Sequence, residues 1–147
     1  MIKRVDHAIM VVKNLETSIK IFSSVMHTDP GQGTGGFIAD LPKFRVAMFP
    51  FMGRARVELI EPKMNVESRF KKWLQERGEG VMGISFFTDD LNAEVESLKK
   101  NGLKYEEEVN PSLFPDHPFR IVWVPPMDGT GVWIEYADIH DLPAFEQ

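Results

Sequence analysis

Apolar residues recur along this chain with two different periods, and the switches between them mark its elements. Residues 4 to 12 alternate, placing His7, Ile9 and Val11 on one face and Ala8, Met10 and Val12 on the other, which reads as a strand buried largely on both sides. Asn14 then stands where a helix N-cap belongs. Leu15, Ile19, Phe22, Val25 and Met26 follow at three- and four-residue steps, an apolar stripe along about three helical turns. The glycines of Asp29-Pro30-Gly31-Gln32-Gly33-Thr34-Gly35-Gly36 exclude regular structure and predict a loop. A phosphate cradle would need that Gly-x-Gly spacing to open a helix, whereas here it follows one. Two strands come next, about Phe44 to Phe49 and Arg54 to Ile60, joined by a turn at Pro50-Phe51-Met52-Gly53.

Pro62 ends the second of these strands. Residues Asn65 to Arg77 then predict a charged helix with Val66, Phe70, Trp73 and Leu74 inward, broken by Arg77-Gly78-Glu79-Gly80. A strand follows from Val81. Asp90 caps a helix carrying Leu91, Val95 and Leu98, which ends at Asn101-Gly102. After a loop with Pro111, Pro115 and Pro118, Phe119 to Val124 and Gly131 to Tyr136 predict a hairpin closed by Pro125-Pro126-Met127-Asp128-Gly129-Thr130.

These elements repeat. Val5-Asp6-His7-Ala8 falls on Val81-Met82-Gly83-Ile84, and Leu15, Ile19 and Phe22 fall on Leu91, Val95 and Leu98, all at an offset of 76. Glu58, between Val57 and Leu59, falls on Glu135, between Ile134 and Tyr136, at an offset of 77. Such agreement across separate elements indicates duplication of a strand-helix-strand-strand unit, with room for one further short strand in each half. The expected fold is α+β: two pseudo-symmetric βαβββ modules with curved, mostly antiparallel sheets enclosing a shared cleft. The first module would be 1–62 and the second 81–147, with 63–80 as a packed connecting helix and turn, together one compact domain.

Composition narrows the functional classes. At 43% hydrophobic and 27% charged, the 147 residues suit a globular protein rather than a disordered one. A net charge of -5 argues against nonspecific nucleic-acid binding. No apolar run reaches the roughly 20 residues of a membrane span, and the N-terminus has no signal-peptide core. The absence of cysteine removes disulfides, thiolate metal sites and a cysteine nucleophile, and fits a cytoplasmic location.

The duplication singles out four equivalent inward positions: His7 and Glu58 in one half, Gly83 and Glu135 in the other. A carboxylate on an apolar strand is costly unless paired. An imidazole and two carboxylates on one cavity would suit a divalent ion, which accepts mixed nitrogen and oxygen donors. The plainer alternatives are a hydrogen-bonded buried histidine and salt bridges to Arg45, Arg56 or Arg120. Ser85 and Phe87 share a face with Gly83, as Trp133 does with Glu135, and are expected to line the cavity as substrate-binding residues, unless they simply pack the core. Gly83 would leave room there for a ligand group. His117 is a candidate substitute ligand or an exposed loop histidine, while His27 and His140 sit at element ends as surface residues.

Val5-Asp6-His7-Ala8 with Val12-Lys13-Asn14-Leu15, Val57-Glu58-Leu59-Ile60-Glu61-Pro62, Arg77-Gly78-Glu79-Gly80 and Val132-Trp133-Ile134-Glu135 together resemble the vicinal oxygen chelate superfamily of glyoxalases, bleomycin resistance proteins and dioxygenases. The resemblance is greatest to its methylmalonyl-CoA epimerase and glyoxalase-like members and covers nearly the whole chain. It implies a divalent ion of the Co, Mn, Ni, Zn or Mg class held by four side chains. His7, Glu58 and Glu135 match three of these, and Met82-Gly83 replaces the histidine pair that supplies the fourth. That leaves either a weaker site with water in the gap or a site that has lost its metal. In the epimerase-like members the metal stabilises an enolate while carboxylates move the proton. Glu135 would serve that role here, with Asp40 near the family's second acid. The resemblance also implies a homodimer. Two functions follow as expectations: an epimerase, isomerase or lyase acting beside a carbonyl or thioester, or a non-catalytic binder of an aromatic or antibiotic-like small molecule, for which Trp123, Trp133 and Phe87 are suited. A ring-cleaving dioxygenase fits less well, since its pattern of two histidines and one glutamate is missing.

Overall fold

A computed structural model of the chain describes all residues except 33–34, 52–54, 111–118 and 142–147. Its elements run β1 (Ile2–Val11), α1 (Leu15–Met26), β2 (Phe37–Asp40), β3 (Phe44–Pro50), β4 (Arg56–Pro62), α2 (Arg69–Arg77), β5 (Gly80–Thr88), α3 (Leu91–Lys100), β6 (Glu106–Asn110), β7 (Phe119–Val124) and β8 (Trp133–Asp138), then a 3-10 turn at Ile139–Asp141. The α+β class and the extra short strand in each half, β2 and β6, match expectation. The chain groups into two units, His7–Met82 and Met1–Asp6 with Gly83–Gln147. No described helix is long and apolar enough to cross a membrane.

In the His7–Met82 unit the strand order is β2-β3-β4-β1. β2, β3 and β4 form antiparallel pairs, and β1 closes onto β4 in parallel, with His7 opposite Arg56 and Ile9 opposite Glu58. A parallel return needs a crossover, which α1 begins. The Asn14 side chain caps α1 by accepting from Thr17 N at 2.8 Å, and Glu61 Oε2 accepts from Leu15 N at 2.6 Å, so two of the helix's orphan N–H groups are satisfied. Leu15 packs with Val12, Ala47, Phe49 and Leu59, and Ile19 and Phe22 close over them. Val57 and Leu59 thus face α1, and alternation sends Glu58 to the opposite face.

Val25 departs from the expected stripe: it is 70% exposed. At 3.6 residues per turn it lies about 80° around the helix from Leu15, outside the face that Ile19, Phe22 and Met26 share. The next helix also begins later than Asn65. Ser68 caps it by accepting from Lys71 N at 3.1 Å, while Val66 N bonds Lys63 O in a turn. Phe70 and Trp73 are buried as expected, Phe70 against the Phe44 ring at 4.9 Å.

The second unit repeats the plan in the order β5-β8-β7-β6. β5 and β8 pair in parallel, with Gly83 opposite Trp133 and Ser85 opposite Glu135. His7/Arg56 and Gly83/Trp133 are therefore matching rungs of two ladders, as are Ile9/Glu58 and Ser85/Glu135. Asp90 caps α3 by accepting from Ala93 N at 2.9 Å. Leu91, Val95 and Leu98 pack on Val122 and Val124, joined by Ile134 and Tyr136. Glu135 and Trp123 consequently lie on the sheet face away from α3.

Leu59 is fully buried in the α1 core. Leu59→Ala should lower unfolding stability by about 3 kcal/mol, through lost burial plus the cavity left behind. Urea unfolding should show an earlier midpoint with an unchanged slope.

Candidate active site

The two central strands share an irregularity that simple alternation misses. Along β1, Asp6 is buried between the exposed Val5 and the equally buried His7, after which Ile9 and Val11 are buried and Ala8 and Met10 are half-buried. The inward side thus changes from even to odd residues between Asp6 and His7. β5 changes in the same way between Met82 and Gly83, the positions 76 residues on. The candidate residues lie just past these changes.

In the His7–Met82 unit, the parallel register puts His7 on the face of Glu58. Both are buried, at 7% and 8% exposure, and His7 Nε2 lies 3.4 Å from Glu58 Oε2. The carboxylate anticipated to need a partner thus meets the imidazole from two positions along β1. Arg45, one of the alternative partners, instead pairs with Glu16 and approaches Glu61 at 3.6 Å. Asp40 ends β2 opposite Arg45 in the ladder; its side chain is two-thirds exposed and paired with Lys63 Nζ at 2.6 Å.

In the other unit, Glu135 is buried and accepts a 2.6 Å hydrogen bond from the hydroxyl of Ser85, which has no exposed surface. Trp123 of β7 stands opposite Glu135 in the ladder. Its ring meets that of Trp133 edge-on at 6.1 Å, and its Nε1 donates to Glu108 Oε1 at 2.9 Å. Phe87, also buried, continues the same face of β5. Arg120, another of the alternative partners, donates to Glu107 and Asn92.

One more pair belongs to this unit. Asp6 accepts from Arg4 Nε at 3.0 Å and lies 2.9 Å from its Nη2, and the guanidinium sits 4.8 Å from the centre of the Phe87 ring. Sequence reasoning passed over Asp6. The available signal was an acid inside a strand with a cation two residues earlier on its own face, the placement that allows a buried charge to be paired.

Gly83 corrects an expectation. It does not leave room for a ligand group, because a Cβ there would fall 2.7 Å from the Trp133 carbonyl oxygen and 3.2 Å from the Trp133 Cβ. The main chain of β8 occupies the space. Position 83 is a close approach between strands, and a histidine could enter only if β8 moved.

The residues can be tested against the divalent ion that the resemblance implies. His7 and Glu58 are near each other, but among the described residues no group of three or more His, Asp or Glu side chains is placed to hold an ion. His117 lies outside the described residues. His27 and His140 are exposed, as expected. Position 83 is closed to a side chain, so it cannot supply the family's fourth donor while β8 keeps its place.

The family model for the Glyoxalase/Bleomycin resistance protein/Dioxygenase superfamily matches residues 6–120. The chain belongs to that superfamily. Its fold is similar to methylmalonyl-CoA epimerase from Mycobacterium tuberculosis, with a TM-score of 0.74 and 22% identity over 93% of this chain and 88% of that one. The same TM-score and identity relate it to a Streptomyces coelicolor methylmalonyl-CoA epimerase variant in complex with 2-nitronate-propionyl-CoA, over 94% and 98% of the two chains. A hypothetical protein from Bacillus halodurans matches equally, over 92% and 93%. At these identities the likeness establishes the fold. No curated protein matches the chain in sequence.

Gly83→Ala should cost about 1–3 kcal/mol by overpacking against the Trp133 main chain. Gly31→Ala, where an added Cβ meets nothing within 4 Å, should change stability by less than about 0.5 kcal/mol. Thermal denaturation of the two variants beside the parent checks the difference.

Proposed function

We propose that the chain is an epimerase- or isomerase-type enzyme that moves a proton at a carbon next to a carbonyl or thioester, with Glu135 as a proton-transferring carboxylate. The observation that carries this reading is the buried Ser85–Glu135 pair. A carboxylate shielded from water yet held by a hydroxyl donor can keep its charge, stay aimed, and act as a general base. In the His7–Met82 unit the equivalent carboxylate, Glu58, is likewise buried, with His7 beside it. The similar folds include epimerases, and one of these binds an acyl-CoA analogue, so branched acyl-CoA thioesters are the first substrates to test.

No step here passes through a metal. The resemblance nonetheless makes His7, Glu58 and Glu135 the residues to examine for affinity toward an ion. A homodimer in the cytoplasm is the expected assembly and location, the first by resemblance and the second from the lack of cysteine. A second reading, a binding protein for an aromatic small molecule, is favoured by the crossed rings of Trp123 and Trp133 beside Glu135. In it, Glu135 would orient a ligand without chemistry.

Deuterium incorporation at the α-carbon of branched acyl-CoA thioesters in heavy water separates the readings. Exchange should occur, and Glu135→Gln should slow it by about 100-fold or more. Binding of aromatic ligands with no exchange from any thioester would support the second reading. The same assay with chelator, and then with added Co, Mn, Ni, Zn or Mg, tests metal dependence. An ion required for exchange, and lost in His7→Ala, would return His7 to the role of ligand.

Sedimentation equilibrium checks the assembly. A homodimer should give twice the 16.8 kDa chain mass, and a single-chain mass would refute it.

A further inference from the structure

We propose that Arg4 is a further catalytic residue of this site, its guanidinium donating hydrogen bonds to the acyl oxygen that becomes negative when Glu135 takes the α-proton; the proposal rests on the proton-transfer reading above. That step calls for such a donor. As Glu135 accepts the proton, the C–H electron pair becomes the carbon–carbon π bond of an enolate, and the π pair of the thioester C=O moves onto oxygen. Return of a proton to carbon restores the thioester, so nothing else is consumed. Charge therefore develops on one oxygen, and fixed donors aimed at it lower the barrier.

Position on the sheet carries the assignment. In the ladder that sets Ser85 opposite Glu135, Phe87 stands opposite Ala137, two residues or about 7 Å further along the same face. The Arg4 guanidinium lies over the Phe87 ring, 4.8 Å from its centre, and so belongs to the Glu135 face. The other Lys and Arg residues described in this unit are placed elsewhere. Lys3 pairs with Asp89, Lys99 and Lys100 end α3, and Arg120 reaches Asn92 at the start of α3. Lys104 is exposed ahead of β6.

Asp6 sets the plane of the cation. Its Oδ1 accepts from Arg4 Nε at 3.0 Å and lies 2.9 Å from Nη2, which fixes one edge of the planar fork while the Phe87 ring supports its face. The Asp6 side chain is shut off from water, whereas that of Arg4 keeps 19% exposure. The anchor is buried, and the residue it holds is partly open to solvent. Stability alone gives no reason to keep such a pair, since apolar side chains of similar volume usually serve a buried site as well or better. A carboxylate for the proton and a held guanidinium for the oxygen, on one apolar face, are what α-proton removal requires.

The thioester exchange assay tests this in two variants, each checked for folding by thermal denaturation. Arg4→Lys keeps the charge but loses the planar fork, and should lower kcat by about tenfold with KM nearly unchanged. Arg4→Gln alone would leave the buried Asp6 carboxylate without this cation, so it is combined with Asp6→Asn, which turns the pair into two neutral amides. In that double variant kcat should fall by about 100-fold or more. If the double variant does not fold, Arg4→Lys decides alone. A folded variant that exchanges at the parent's kcat would overturn the proposal and leave Glu135 as the base. A raised KM with kcat kept would put Arg4 on a group already charged in the substrate, and would overturn it likewise. A parent protein that exchanges no thioester would overturn the proton-transfer reading, and this proposal with it.

Discussion

In each unit the first strand lies parallel against the last, and the placement of the candidate site depends on that pairing. Parallel strands cannot be joined by a tight turn, so each unit must carry a crossover between them, and its helix covers one face of the sheet. Covering one face decides what the other can hold. Val57 and Leu59 go to α1, and Ile134 and Tyr136 go to α3, so Glu58 and Glu135 are turned the opposite way by the period of the strand. A charge on the helix side would be buried among Leu, Val and Phe side chains with nothing to pair with. On the other side it can be met by a side chain from the first strand, because the ladder brings that strand into register with it.

Much of this was legible in the sequence because it depends on period and repetition. The offsets of 76 and 77 identify the two ladders' matching rungs, and the structure pairs those residues at equivalent places. Asn14, Asp90 and Gly102 were readable as helix ends because capping is local chemistry: a side-chain oxygen two or three residues from an N–H, or a glycine able to adopt positive φ. The α1 core followed from helical spacing, apart from Val25, whose apolar character conceals its angular distance from the stripe.

What could not be read depends on where another part of the chain lies. Alternation assumes an unbroken strand, yet β1 and β5 change their inward side between Asp6 and His7 and between Met82 and Gly83. His7 was still assigned to the correct face, because the assignment was counted forward through Ile9 and Val11. Asp6, on the other side of the step, was missed. The partner of Glu58 was visible as a need and not as an identity: three arginines were the named candidates, and the ladder places His7 two residues from the rung opposite Glu58.

Gly83 shows how a missing side chain can be misread. Beside a repeat that carries histidine, a glycine suggests something removed and a space left behind. The Trp133 carbonyl fills that space, so the glycine is what permits β5 and β8 to approach so closely. A ligand lost while the strands stayed apart would leave a hole that water or a substituted histidine could fill. Strands that have closed leave none. At the next inward position Ser85 donates to Glu135, where the other unit has an isoleucine. The halves thus differ at both positions, with a histidine and an isoleucine in one and a glycine and a serine in the other.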